Sequence, residues 1–167
     1  SHDLARFRFR RNLLLSGRGR PFSPANEPSI YLYAKSRSTD YAGDENRLLS
    51  TIIHEELHAY LAQFPEAVEK AKTNLRRLFP PETLPRDRNL RADDLESDYL
   101  HLIVCWFEYD SMKRFIGPAA ARELMADGKV YRWIYDQVFN ANEKIAGVLR
   151  ASNLVNPMEL ELPTSQP

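Results

Sequence analysis

The segment "HEELH" places two histidines, His54 and His58, four residues apart, with Glu55 directly after the first. On an α-helix, residues four apart lie one turn from each other on the same face, so both imidazoles can bind one metal ion. Glu55 is rotated by about 100° from His54 and need not bind the ion. It can instead stand beside an open coordination position, hold a water molecule there and accept its proton. The spacing therefore predicts a zinc site with a general base.

The sequence around "HEELH" predicts that the motif lies on a helix that follows a strand. Residues 29–36, "SIYLYAKS", alternate apolar and polar side chains, as a half-buried strand does. A polar turn follows, and the acidic Asp44 and Glu45 favour the start of a helix that ends before Pro65. The three prolines of residues 80–91 predict an exposed connection. Apolar periodicity predicts four further helices, over residues 65–79, 92–116, 119–127 and 129–150.

In this context "HEELH" resembles the HExxH motif of the zincin metallopeptidases, whose active-site helix follows a mixed sheet. The resemblance covers about residues 29–64 and is specific at His54, Glu55 and His58. It implies an α+β, mostly helical, zincin-like fold, with a small N-terminal β-sheet, the active-site helix and a helical C-terminal half. It also implies that the strand at 29–36 is an edge strand that pairs with extended peptide substrate.

Motifs of several zincin subfamilies differ from this chain. No glycine and third histidine follow shortly after His58, as they do in metzincins, and the thermolysin-like "NExxSD" pattern is not present. The basic segment 4–20, "LARFRFRRNLLLSGRGR", together with a compact HExxH core is similar to SprT-like proteases, which cleave proteins bound to DNA. The chain has no segment that matches the "GH" found after the motif in that subfamily. The similarity to SprT-like or thermolysin-like enzymes is therefore distant.

A catalytic zinc ion needs a third protein ligand and one open position. The chain has four histidines, and outside the motif and His2 only His101 is left. His101 lies on the helix predicted over 92–116 and is therefore the predicted third ligand. Glu96 is the alternative, because it projects into the apolar side of that helix, where an unpaired carboxylate would be costly. A glutamate from a second helix also completes the zinc site of thermolysin-like zincins.

The helix predicted over 92–116 has an apolar face and a polar face. The apolar face carries Leu95, Tyr99, Leu102, Ile103 and Trp106. The polar face carries Asp94, Asp98, His101, Cys105 and Glu108, and in an ordinary protein it would face solvent. Asp98 lies one turn before His101 and is placed to orient that imidazole. Asp94 and Asp98 are also minor alternatives for the third ligand, and Cys105 is predicted to be a small buried residue.

Zincins often add a tyrosine, histidine or arginine that stabilises the developing oxyanion of the transition state. The side chains that this sequence offers for that role are Tyr131, Arg132, Tyr135, Tyr99 and Tyr109. Aromatic residues at helical spacing are more often part of the core, so none of the five is preferred.

Composition places few limits on the partners of the chain. The 167 residues are 43% hydrophobic and 28% charged, and 23 basic residues balance 23 acidic ones, so overall charge predicts neither a nucleic-acid nor a membrane partner. No apolar run approaches the roughly 20 residues of a membrane span. The single cysteine and the lack of a signal-peptide pattern favour the cytoplasm or the nucleus. Phosphate or nucleic-acid contact by the basic segment 4–20 is the alternative to an edge strand or ordered arm.

The predicted organisation is a single zincin-like catalytic domain over residues 1–167. A basic arm or strand occupies 4–28, and residues 152–167, with three prolines, are predicted to be a trailing tail.

The predicted function is hydrolysis of peptide bonds in a protein or peptide substrate. A zinc ion bound by His54, His58 and His101 would polarise the scissile carbonyl, and Glu55 would take the proton of water and return it to the leaving amine. The alternative is a non-catalytic zincin-like binding or regulatory module, which the basic arm would link to nucleic acid.

Overall fold

The computed structural model of the chain describes residues 12–16, 29–33, 44–87, 90–128 and 130–157, with side chains described from residue 44 on. Two short strands precede six α-helices in this part of the chain. They are β1 (Asn12–Ser16), β2 (Ser29–Tyr33), α1 (Glu45–Leu61), α2 (Pro65–Leu78), α3 (Leu95–Ile116), α4 (Pro118–Ala126), α5 (Arg132–Asn140) and α6 (Asn142–Ala151).

The predicted α+β class, with a small N-terminal β-sheet as part of a zincin-like fold, is wrong. Of the described residues from 44 to 157, 77% are helical and none lies in a strand. β1 and β2 pair in parallel with each other, Asn12 opposite Ser29, and they amount to five residues each. Every described core side chain comes from a helix or from a loop next to one. Helix packing therefore builds the domain, and the mixed sheet that the resemblance implied is not what positions the histidines.

α1 forms where its capping residue and apolar spacing predict it. The Asp44 side chain accepts a hydrogen bond from the backbone N–H of Arg47 (2.9 Å), which satisfies one of the free donors of the first turn. Leu49, Ile53 and Leu57 recur at helical spacing and are buried. The helix therefore buries one side against the rest of the domain and carries "HEELH" as a rigid unit.

α3 is the central helix, against which α1, α2, α4, α5 and α6 all pack. The Asp94 side chain caps it by accepting from the backbone N–H of Ser97 (2.8 Å), and Gly117, with φ 84°, ends it. Both faces of α3 are buried, since its neighbours surround it. The polar side of α3 does not face solvent, as it would in an ordinary protein, because four of its five residues are buried: Asp98, His101, Cys105 and Glu108.

The single helix predicted over 129–150 is two helices, α5 and α6. Ala141, with φ −121° and ψ 26°, lies between them and is not helical. The Asn142 side chain donates to the carbonyl of Val138 (3.1 Å), and the backbone carbonyl of Asn142 accepts from the Trp106 indole of α3 (3.1 Å). These bonds satisfy polar groups at the break, which the apolar periodicity alone does not reveal.

The ends of the chain differ in how much the structure describes. Leu154 and Asn156, within the segment predicted to be a tail, are buried, and the Asn156 amide donates to the carbonyl of Phe107 (3.1 Å). Residues 158–167 and most of the basic segment 4–28 lie outside the described residues. Among the helices that are described, none is long and apolar enough to span a membrane.

Candidate metal centre

Three histidines from two helices meet at the interface of α1 and α3. His54 and His58 lie on α1 and His101 lies on α3, and one ring nitrogen of each is within 4.8 Å of the others. The Nε2 atoms of His54 and His58 are 3.3 Å apart. The ring centroids of His58 and His101 are 4.9 Å apart, and those of His54 and His101 are 5.6 Å apart. The structure therefore brings together the three imidazoles that the sequence predicts as ligands.

The His54 ring is held by a carboxylate on the side opposite to His58. Its Nδ1 lies 2.8 Å from Oε2 of Glu108, and because a carboxylate oxygen accepts, Nδ1 carries the hydrogen. The same Oε2 accepts from the Tyr135 hydroxyl (2.7 Å), and Oε1 accepts from the Ser50 hydroxyl. The Nε2 atom of His54 is thereby the one turned toward His58.

The His101 ring is held by its own helix. Its Nδ1 lies 2.7 Å from the carbonyl oxygen of Ser97, which can only accept, so this nitrogen also carries its hydrogen. Asp98 does not orient His101, contrary to the prediction: its buried carboxylate accepts from the Arg91 guanidinium and from the backbone N–H of Ala92 (2.9 Å). The lone pair on Nε2 of His101 is left for another partner.

Burial keeps two of the three imidazoles neutral. Burial, together with the charge of neighbouring His54, lowers the pKa of His58 to about 2 and that of His101 to about 4. Burial also lowers the pKa of His54, but the interactions with Glu108 and Cys105 outweigh it, and that pKa stands well above its usual range in the metal-free chain. Neutral imidazole is the form that binds a metal ion, so His58 and His101 are ready ligands at neutral pH.

Glu55 lies one residue after His54 on α1 and is 7% exposed. Burial raises the pKa of its carboxyl, nearby His54 lowers it and Glu108 raises it, with a net rise above the ordinary value. A carboxylate with a raised pKa accepts a proton more readily than a solvated one. Glu55 is therefore a buried carboxyl, next to His54 in sequence, whose affinity for a proton is increased by burial.

Glu96, the alternative third ligand, is elsewhere. Its carboxylate is 59% exposed and pairs with Lys72 (2.6 Å) and Arg76 of α2. Hydrogen bonds from Lys72 and Arg76 lower the pKa of Glu96. The premise that Glu96 projects into an apolar surface without a partner is wrong, and Asp94, the exposed cap of α3, is not in the histidine cluster either.

Of the five side chains that the sequence offers for transition-state stabilisation, Tyr131 has a described ring contact with the histidines. The Tyr131 ring stacks on His101, with centroids 4.3 Å apart, and lies parallel to the ring of His54 at 5.8 Å. Tyr131 also has left-handed backbone angles, φ 56° and ψ 28°, which are strained for a residue other than glycine. The hydroxyls of Tyr135 and Tyr99 are bonded within the protein, to Glu108 and to the carbonyl of Phe79.

Cys105 and Glu108 form a second possible ligand group with His54, with donor atoms within 4.8 Å of one another. Cys105 is fully buried, as predicted, and burial raises the pKa of its thiol, which disfavours a nucleophilic thiolate. Sequence reasoning placed Glu108 on the polar face of α3 but gave it no role. The signal was its position seven residues, two turns, after His101 on the same face.

Comparison of the chain with protein-family models, with curated proteins and with solved structures gave no match. The functional assignment therefore depends on the side chains at the interface of α1 and α3.

Proposed function

We propose that the chain is a zinc-dependent metallopeptidase, with His54, His58 and His101 as zinc ligands and Glu55 as the general base. The observation that carries the proposal is the convergence of these three imidazoles, with donor atoms within 4.8 Å, from two helices that are far apart in sequence. Glu55 follows directly after the first of them and is buried.

The donor set suits zinc. Zinc in catalytic sites takes three protein ligands, imidazole nitrogen is among its preferred donors, and a fourth position stays open. Two nitrogens on a tetrahedral zinc ion are about 3.4 Å apart, given Zn–N distances of about 2.0–2.1 Å. The Nε2 atoms of His54 and His58 are separated by 3.3 Å. A zinc ion there would supply a Lewis acid and lower the pKa of a coordinated water.

The protein's own residues would supply the remaining steps. The Glu55 carboxylate takes the proton from the attacking water and returns it to the leaving amine, which converts a poor leaving group into a neutral one. Burial raises the pKa of the Glu55 carboxyl, which makes it a stronger proton acceptor than a solvated carboxylate. Tyr131, stacked against His101, is the side chain best placed to donate a hydrogen bond to the developing oxyanion. A purely structural zinc site would need no such base and would fill its fourth position with a protein ligand.

The test combines elemental analysis with a peptidase assay on the purified chain. We expect about one zinc per chain and hydrolysis of an unstructured protein substrate. Glu55→Gln removes the base but none of the ligands, so we expect zinc to be retained and hydrolysis to fall by at least about 100-fold. Glu45→Gln is the matched control, because it makes the same change in the first turn of α1 at an exposed position, and it should change neither quantity.

Two results would contradict the proposal in different ways. Zinc binding without hydrolysis of any peptide substrate would favour the non-catalytic binding or regulatory module. If the chain binds no zinc even after addition of the ion, the assignment as a metallopeptidase is wrong.

A further inference from the structure

We propose that Glu108 is a positioning residue for the metal centre: its carboxylate clamps His54 so that Nε2 faces His58 and His101. This inference rests on the proposed zinc site. It adds a residue that lies 54 positions from His54 in sequence and that the "HEELH" motif does not contain.

The clamp joins three helices at one carboxylate. Glu108 of α3 accepts from His54 and Ser50 of α1 and from Tyr135 of α5. Oε2 takes two of these bonds, from Nδ1 of His54 (2.8 Å) and from the Tyr135 hydroxyl (2.7 Å), and Oε1 takes the third. Donors from two neighbouring helices therefore fix the carboxylate plane.

Because Glu108 is buried, its carboxylate needs hydrogen-bond donors from the protein. Glu108 is 2% exposed, and a buried carboxylate without donors would be strongly disfavoured. With three donors it becomes a fixed, strong acceptor, since hydrogen bonds to a charged group are shorter and stronger than neutral ones. The His54 ring then cannot rotate about its Cβ–Cγ bond without breaking a charge-assisted bond, so its orientation is set before any ion arrives.

A carboxylate behind a histidine also changes the ligand itself. In the neutral ring, the form that binds a metal ion, the bond at Nδ1 selects the tautomer that has its lone pair on Nε2 and increases the electron density that Nε2 offers to a cation. Loss of such a partner typically weakens metal binding by about 10- to 100-fold. In the equivalent place His101 has two neutral partners, the carbonyl of Ser97 (2.7 Å) and the Ser97 hydroxyl (3.2 Å), so we expect Glu108 to contribute more than Ser97 to the affinity of the site.

The experiment measures zinc affinity, by competition with a chromophoric chelator, and the visible absorption of the cobalt-substituted chain. In Glu108→Gln we expect zinc affinity to fall by about 10- to 100-fold and the cobalt bands to shift, because the ligand geometry changes. Tyr135→Phe and Ser50→Ala each keep the carboxylate and remove one bond to it. Each should weaken zinc binding by about two- to tenfold, even if Glu108→Gln fails to fold.

The matched control is Asp98→Asn, which makes the equivalent acid-to-amide change at another buried carboxylate of α3. The described hydrogen bonds of the Asp98 carboxylate are to Arg91 and to the backbone N–H of Ala92, so this variant should lose stability and keep its zinc affinity and cobalt spectrum. If Glu108 had only a structural role, Glu108→Gln would likewise lose stability and keep its zinc affinity and cobalt spectrum.

The outcomes separate the two proposals. If the unmodified chain binds zinc and the variants at Glu108, Tyr135 and Ser50 bind it equally well with unchanged cobalt spectra, the positioning role is overturned and the zinc site stands. If the unmodified chain binds no zinc, both the proposed function and the positioning role are overturned.

Discussion

At the scale of single residues, the identity of the third ligand decides whether the proposed zinc site has three histidines or two histidines and a glutamate. His101 lies with His54 and His58, whereas Glu96 is paired with Lys72 and Arg76 on the surface. We therefore expect His101→Ala to lose most of its zinc and Glu96→Ala to keep about one ion per chain. Elemental analysis after dialysis checks this expectation, and equal zinc loss in both variants would point to a general defect in folding instead.

Tyr131 allows a second prediction at this scale. Burial raises the pKa of its hydroxyl, so the group is a neutral donor at neutral pH. Tyr131→Phe keeps the stacked ring and removes only this donor. If the hydroxyl stabilises the oxyanion, kcat should fall by about 100-fold while zinc content and KM stay close to those of the unmodified chain. A kcat within twofold of the original would show that Tyr131 acts only through its ring.

At the scale of elements, the sequence predicts α1 well and the contacts between helices poorly. Asp44 as a cap, Pro65 as the start of α2 and Gly117 as the end of α3 are local signals, and each lies where local chemistry places it. His101 was predicted because no other histidine remained. Its rival Glu96 could not be excluded from sequence, because its partners Lys72 and Arg76 come from a different helix.

The same limit explains the missing role of Glu108 and the error in fold class. The bond between Glu108 and His54 depends on the packing of α3 against α1, which no periodicity within either helix specifies. The α+β class was inferred from one alternating segment and from a resemblance centred on three residues. A motif as short as "HEELH" predicts chemistry on one helix but says little about the elements that support it.

The buried ion pair of Asp98 and Arg91 ties the connection after α2 to the start of α3. Asp98 is fully buried, and Arg91 also donates to the carbonyl of Pro85 (3.1 Å). Asp98→Asn leaves the guanidinium without its countercharge, so we expect the free energy of unfolding to fall by about 3 kcal/mol. Urea denaturation at neutral pH measures this change. A loss below about 0.5 kcal/mol, the range of ordinary surface substitutions, would contradict the prediction.

The pairing of Glu96 with α2 gives a weaker, pH-dependent contribution. Lys72 and Arg76 lower the pKa of this carboxyl, so the unfolded chain binds its proton more readily than the folded one. The stabilisation is therefore present above the unfolded pKa of about 4.3 and is lost as the pH falls through the lower folded value. Because Glu96 is exposed, Glu96→Gln should cost less than about 1 kcal/mol at neutral pH and nothing in strong acid. Urea denaturation of both chains at the two pH values checks this difference, and an equal difference at both would contradict it.

At the scale of the whole molecule, a zinc ion would add one more link between α1 and α3, two helices that already pack against each other. His54 and His58 come from α1 and His101 from α3, the helix around which the domain packs. An ion that binds only the folded chain adds about 2.7 kcal/mol when its free concentration is 100 times its dissociation constant. For a domain of this size, that corresponds to a rise in Tm of about 5–10 °C.

Removal of the ion should therefore destabilise the unmodified chain, and this effect should depend on the three histidine ligands. We expect a chelator to lower the Tm by about 5–10 °C, and added zinc to restore it, because the folded chain alone offers the three converging nitrogens. His101→Ala should melt at the same temperature with and without the chelator, since it lacks one of the ligands. Glu55→Gln should keep the full response, because Glu55 acts on the proton of water and does not hold the ion. Scanning calorimetry of the three chains measures this, and a chelator effect of equal size in His101→Ala would mean that the stabilising ion is bound elsewhere.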